Sequence, residues 1–207
     1  IRDSSVTGVQ TCALPIWQYD IIITNPPFSV LKDFITMLEE LQLKYILVAN
    51  ENILVSSKVF PLVKDEKLHT GYTRIKEFIT PTGIQKFGNI LWITNLPIQK
   101  NNPPLPLTKH YDPNLYPMYE NYNAINVDRI KDIPCDYYYT MGVPITYLNK
   151  HVPSQFEILG YAGGTTKNNG LNYDVAYQPH PEDHGGNGMV NGVRKYGRVF
   201  IRRRESD

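Results

Sequence analysis

From Trp17 onward the apolar positions fall into patterns that predict distinct elements. Tyr19 to Thr24 is a β-branched run, Asn25-Pro26-Pro27 interrupts it, and Phe28, Leu31, Phe34, Ile35, Leu38 and Leu41 then recur at helical spacing. Such a succession reads as strand, turn and helix. Tyr45 to Ala49 predicts a second strand, followed by a loop and a short helical stretch from Ser56 to Asp65. Strand–helix alternation predicts a parallel, doubly wound sheet of the α/β class. Glu77 to Thr80 and Asn89 to Asn95 read as two further strands, with Thr82-Gly83 and Gly88-Asn89 as turn signals, and together they suit an antiparallel edge.

The pattern changes at Gln99 to Pro106, where Asn-Asn-Pro-Pro and a further proline make an extended polar connection. Beyond it come a tyrosine-rich stretch from Tyr111 to Tyr147, a strand-like Phe156 to Gly160, a glycine-rich polar loop from Gly163 to Gly188, and Val190-Asn-Gly-Val193 leading into Val199-Phe-Ile201, which reads as a hairpin. The expected organisation is thus an α/β unit over 17–98 and an α+β unit over 107–207. Ile1 to Ile16 has no periodicity that joins it to the strand beginning at Tyr19 and is set aside as a non-native leader. No internal repeat is found.

Composition narrows the class. With 207 residues, 42% apolar content and 21 basic against 20 acidic residues, the chain suits one or two globular domains. No run approaches the ~20 apolar residues of a membrane span, and no secretory layout opens the chain, so a soluble, cytoplasmic protein is expected. Cys12 and Cys135 are too far apart in sequence for a Cys-x-x-Cys metal pair and too few for a disulfide framework. A net charge of +1 leaves the question of nucleic acid to local distribution.

The first candidate chemistry is Asn25-Pro26-Pro27-Phe28, at the carboxyl end of a predicted strand, where open α/β sheets place their ligands. The Asn25 side-chain oxygen and the Pro26 carbonyl are two acceptors suited to the hydrogens of an exocyclic amine such as adenine N6. Gripping both turns a delocalised lone pair toward an incoming methyl group, which is positioning rather than proton transfer. The prolines fix φ and remove backbone donors, holding the acceptors in place. Phe28 would stack on an extruded base, returning roughly 1–3 kcal/mol of the unstacking cost. The plainer alternative is that Asn-Pro-Pro merely stops a strand and Phe28 faces the core.

Arg194, Lys195, Arg198, Arg202, Arg203 and Arg204 form a basic cluster suited to duplex phosphates, or else a solvated terminus. The tyrosines between 111 and 147 read as packing residues with hydrogen-bonded tips ahead of stacking platforms. His180-Pro-Glu-Asp-His184 cannot form the helix that would align two histidines on a metal, so no metal site is expected. Asp20, Lys32 and Asp33 read as bracing or surface residues.

The Asn-Pro-Pro-Phe tetrapeptide resembles the signature of amino-methyltransferases in its adenine-N6 form. Phe87 to Leu96, Asn123 to Asp128, Ile133 to Tyr137, Met141 to Thr146 and Phe156 to Gly160 extend the likeness to the EcoRI-type adenine-specific methyltransferase family, over nearly all of Trp17 to Arg204. That resemblance implies a Rossmann-like methyltransferase sheet with a C-terminal target-recognition region and S-adenosylmethionine as methyl donor. It also implies double-stranded DNA with a flipped adenine as substrate, as in restriction-modification, and assigns the gripping and stacking roles to Asn25, Pro26, Pro27 and Phe28. The family's glycine-bearing cofactor loop and acidic ribose-binding residue precede Asn-Pro-Pro-Phe, so the cofactor-binding residues and first strands are expected upstream of this chain, which alone would then be inactive. Gly160-Tyr-Ala-Gly-Gly164 does not replace that loop, because Thr165 to Gly170 is turn-rich and opens no helix beside a ligand. The alternatives are a methyltransferase acting on RNA or protein glutamine, and a DNA-binding fragment without catalysis.

Overall fold

The computed structural model describes residues 20–98, 102–163 and 186–204. The β-branched run forms strand β1 (Ile21–Thr24) and the helical pattern forms α1 (Leu31–Glu40), which buries Leu31, Ile35 and Leu38 as one stripe. Helix α1 has no side-chain N-cap; the Val30 amide donates to the Pro27 carbonyl (3.1 Å) and the Phe34 amide to the Val30 carbonyl (2.9 Å), so the proline turn itself starts the helix. Strand β2 (Lys44–Asn50) lies parallel to β1, with Ile21 opposite Lys44 and Thr24 opposite Leu47. Parallel neighbours need a crossover, and α1 is that crossover. Its far end is tied down by polar contacts: the Tyr45 hydroxyl donates to Glu39 (2.8 Å), and the Asn95 amide side chain donates to the Leu43 carbonyl (2.9 Å) while its oxygen accepts from the Tyr45 amide (2.9 Å).

The strand–helix repeat goes no further. A 3-10 turn (Glu51–Val55) and a short α2 (Phe60–Lys64), with Pro61 in its first turn, stand where one helix from Ser56 to Asp65 was expected. Two twelve-residue strands then form a hairpin, β3 (His69–Thr80) and β4 (Gly83–Thr94), and the sheet order is β1-β2-β4-β3. The sheet is therefore mixed, one parallel and two antiparallel pairings, rather than parallel and doubly wound. Of the two turn signals only Thr82-Gly83 turns the chain, with Gly83 at φ 119°. Gly88-Asn89 lies inside β4, and the Gly88 carbonyl accepts from Arg74 across the hairpin (3.1 Å).

The second half adds β5 (Ile125–Asn126), β6 (Met141–Pro144), β7 (Phe156–Ala162), β8 (Gly188–Val190), β9 (Val193–Lys195) and β10 (Arg198–Arg203). A second sheet runs β5-β6-β10-β7, and β8 pairs with β9 through Asn191-Gly192, both at positive φ as a tight hairpin requires. Strand β10 leaves that hairpin and fills the centre of the sheet between β6 and β7. Strand β6 was not expected from the sequence. One buried cluster spans both halves, from Leu31 to Ile201, so packing is continuous across the connection at 99–106. Phe60 of α2 meets Tyr161 of β7 at 4.6 Å between ring centres.

The packing reading holds for Tyr116, Tyr119, Tyr122 and Tyr147, which are buried with hydroxyls bonded to the Asp132 carbonyl, Asn126, the Gly186 carbonyl and His151 respectively. Tyr138 and Tyr139 are exposed. Gly142 and Gly188 flank Tyr119 so closely that a methyl group on either would come within 2.4 Å of it. No helix among the described residues is long and apolar enough to cross a membrane. The leader at 1–16, Cys12 and His180 to His184 lie outside the described residues.

His151 sits against Tyr147 (3.0 Å to the hydroxyl); burial, aided by the positive charge of Arg204, lowers its pKa from 6.5 to about 4. An unfolded chain would protonate this histidine near 6.5 while the folded chain keeps it neutral, so its contribution to stability is intact above that pH and is lost as pH falls toward 4. Urea midpoints measured across that interval are expected to decline in the wild type and to decline less in His151→Gln; parallel slopes would show that His151 is not responsible.

Candidate active site

The register of the first sheet decides where the site forms. Ile90 of β4 pairs with Asn50, the last residue of β2, so residues 83–89 and the facing end of β3 run on past the sheet. At ~3.4 Å per residue this free arm is roughly 20 Å long. Because β4 is antiparallel to β2, the arm leaves from the carboxyl ends of β1 and β2, the end at which Asn25 emerges.

Between them lies an open cleft of about 400 Å³. Asn25, Pro26, Pro27 and Phe28 form one wall. Pro26 is buried and anchors the turn, while Asn25 and Pro27 are exposed and Phe28 is 42% exposed. Among the described residues neither the Asn25 side chain nor the Pro26 carbonyl has a hydrogen-bond partner, whereas the Pro27 carbonyl is used by Val30. An exposed Asn25 side chain and an aromatic face thus stand at the cleft beside an unpartnered Pro26 carbonyl, and Phe28, 42% exposed, is not a core residue.

The opposite wall comes from the arm: Phe78 and Phe87, in edge-to-face contact at 5.4 Å, with Ile79, Thr80 and Gln85 beside them. The sequence reading missed these residues. A signal existed in the two phenylalanines either side of Pro81-Thr82-Gly83, but only pairing reveals that they share a face. At the arm's root the buried Glu51 accepts from Arg74 and from Asn149 (2.6 Å), and Arg74 also holds Gly88. A buried carboxylate held by both halves of the chain fixes the direction in which the arm leaves the sheet.

The basic cluster is divided by the fold. Arg198 is only 8% exposed and pairs with Asp128 (2.9 Å), Lys195 reaches the same carboxylate (3.3 Å), and Arg202 pairs with Glu157 (2.8 Å). Burial alone would raise the Asp128 pKa, but Asn126, Lys195 and Arg198 outweigh it and hold the carboxyl below its ordinary value. Arg194 lies over Tyr196 (4.1 Å), Arg203 over Tyr138 (4.9 Å), and Arg204 donates to the Pro153 carbonyl (2.8 Å). The tyrosine stretch also brings His110 beside Asp136 (2.9 Å) and Cys135 (3.7 Å), a grouping unseen in the sequence because a bridge between Lys109 and Pro134 creates it. The Tyr111 amide and His110 hydrogen-bond Asp136 and hold its carboxyl below the ordinary value.

The fold is mixed α/β, with an Asn-Pro-Pro-Phe turn beside an open cleft at the ends of parallel strands. Residues 10–204 match the family of adenine-specific methyltransferase EcoRI, and the chain belongs to that family. The match begins within the 1–16 segment that the sequence pattern separates from the rest. The chain is 38% identical over 166 residues to the type II methyltransferase M.EcoRI of Escherichia coli, an alignment covering 70% of this chain and 51% of that protein. It is 32% identical over 214 residues to M.MpnI of Mycoplasma pneumoniae and 34% over 217 residues to M.MgeORF184P of Mycoplasma genitalium, each covering 91% of this chain and 66% of the relative. The chain therefore spans between about half and two thirds of the length of these relatives. No solved structure matches it.

Arg198→Ala should lower the urea-unfolding stability by about 1–3 kcal/mol, since it removes a buried, charge-assisted hydrogen bond to the half-exposed Asp128. Arg194→Ala should change it by less than ~0.5 kcal/mol. Equal effects of the two would mean that burial does not separate them.

Proposed function

We propose that this chain carries the adenine-gripping part of a site-specific DNA adenine-N6 methyltransferase of the restriction-modification type. The observation that carries the reading is the pair of unpartnered acceptors at Asn25 and Pro26, facing a cleft with aromatic walls. The family match and the relatives' names as type II methyltransferases support the same reading.

In this reading the base leaves the duplex and enters between Phe28 and the Phe78–Phe87 pair. Asn25 and the Pro26 carbonyl accept the two N6 hydrogens, and the rigid proline turn keeps both oxygens aimed. S-adenosylmethionine, once bound, supplies an electrophilic methyl group; the described residues act on the other reactant. Among them no glycine loop opens a helix beside Asn25, and Gly160 and Gly163 belong to β7 and its end in the second sheet. We place the cofactor-binding residues upstream, on further strands of a Rossmann-like sheet that continues past β1. The exposed Ile21 and Ile23 on that strand, paired on one side only among the described residues, support the placement.

The second half, residues 107–207, is assigned to target recognition. Of the proposed phosphate contacts Arg194, Lys195, Arg198, Arg202, Arg203 and Arg204, those with no carboxylate partner among the described residues, Arg194, Arg203 and Arg204, are the ones we assign to DNA, beside the exposed rings of Tyr138 and Tyr196. A cytoplasmic location accords with this role.

In the full-length protein, Asn25→Ala is expected to lower the rate of methyl transfer to duplex DNA by ~100-fold or more while leaving DNA affinity within a few-fold, because positioning acts on the reacting amine and not on the phosphates. Unchanged turnover would remove Asn25 from the mechanism, and transfer to RNA or peptide in preference to duplex would replace the substrate. Calorimetry of S-adenosylmethionine with residues 17–207 should give no tight binding; tight binding would place the cofactor residues inside this chain.

A further inference from the structure

We propose that the tip of the β3–β4 arm is a wedge that enters the duplex beside the extruded base, with Ile79 and Ile84 as the inserted side chains. The inference rests on the DNA methyltransferase reading and adds to it a part that acts on the DNA left behind.

Ile79 is 91% exposed and Ile84 is 63% exposed, and they are direct partners across the hairpin. Two large β-branched side chains set side by side in water at the end of a projecting arm are not explained by folding, because nothing in the core touches them. Successive strand residues face opposite ways. Phe78 and its partner Gln85 therefore line the cleft, Ile79 borders it at the rim, and its partner Ile84 lies outside the lining, so the two isoleucines cap the ribbon beside the cleft mouth. The ribbon is thus the wall between the pocket that would receive the adenine and the space outside it. The tip is narrow, with only Pro81 and Thr82 between the paired residues Thr80 and Gly83, and the Thr80 hydroxyl braces it by donating to the Gly83 carbonyl (2.7 Å).

Extruding a base leaves a gap in the stack that costs a few kcal/mol, and proteins that distort DNA commonly fill such gaps with apolar side chains, isoleucine among them. Charge favours the same partner. Lys76 and Lys86 lie on the arm against a single acidic residue, Glu77, which faces Lys86, while Arg74 at the root is committed to Glu51. The arm is thus left with one positive charge in excess beside an apolar tip, a sign that suits approach to phosphates.

The test uses the full-length protein, the double variant Ile79→Ala/Ile84→Ala and the conservative Ile79→Leu/Ile84→Leu. Methyl transfer is measured on two duplexes, one with the target adenine paired to thymine and one with it opposite an abasic site, where extrusion is already cheap. The alanine variant is expected to lose ~10–100-fold in kcat/KM on the paired site and most of the fluorescence rise of 2-aminopurine placed at the target. It should return to within a few-fold of wild type on the abasic duplex, and the leucine variant should stay near wild type on both. Both residues are exposed, so matching urea midpoints are expected and separate the effect from misfolding. Equal activity of the alanine variant and wild type on the paired site would overturn the wedge, as would an equal loss on both duplexes. Wild-type dimers that the alanine variant disperses, with base extrusion unchanged, would assign the tip to a second copy instead. A wild type that methylates no duplex defeats the underlying reading and the wedge together, whereas an active wild type with an indifferent tip defeats the wedge alone.

Discussion

Parallel pairing of β1 with β2 is the constraint on which the rest of the site depends. Two parallel strands cannot be joined by a tight turn, so the chain must climb back through α1, and its first turn has to sit at the carboxyl end of β1. Pro26 and Pro27 occupy that corner. One is buried as an anchor, and the other lends its carbonyl to Val30 to begin the helix. What remains for solvent is the Asn25 amide and the Phe28 ring, beside a Pro26 carbonyl that no described residue bonds. The residues that would do the chemistry are the ones that the local fold has no use for.

The second constraint is antiparallel. Strand β4 enters the sheet against β2, so its unpaired half overshoots at the same end as Asn25 and brings Phe78 and Phe87 opposite Phe28. A two-stranded ribbon clear of a core is only marginally stable by itself. Here its root is held by Glu51, a buried carboxylate contacted by Arg74 of the arm and Asn149 of the second half. Removing either partner from a buried charge is far costlier than losing a surface pair, which makes this point a sensible place to couple the cleft to the second half of the chain.

Legibility from sequence tracked how much of each element's environment is local. The strand, the Asn-Pro-Pro-Phe turn, α1 and β2 were readable because turn chemistry and periodicity lie close together along the chain. The arm was readable only in part: with both faces largely in solvent its strands show little alternation, and Gly88-Asn89 looks like a turn unless Arg74 and its pairing partner are known. Strand β6 was hidden in the tyrosine stretch because one of its neighbours is β10, at the far end of the chain, and β5, paired to β6, is only two residues long. The basic cluster misled for a related reason. Six cations close in sequence looked alike, and only Asp128 and Glu157, brought in from distant segments, reveal that half of them are already neutralised.

The central claim is that a base taken from DNA is received between the Asn-Pro-Pro-Phe turn and the arm. Its most direct test is to place 5-iodouracil at the target position of a duplex, irradiate the complex with the full-length protein, and locate the cross-linked peptide by mass spectrometry. Attachment at Phe28, or at Phe78 or Phe87 across the cleft, is the expected result. Attachment confined to residues outside this cleft would contradict it.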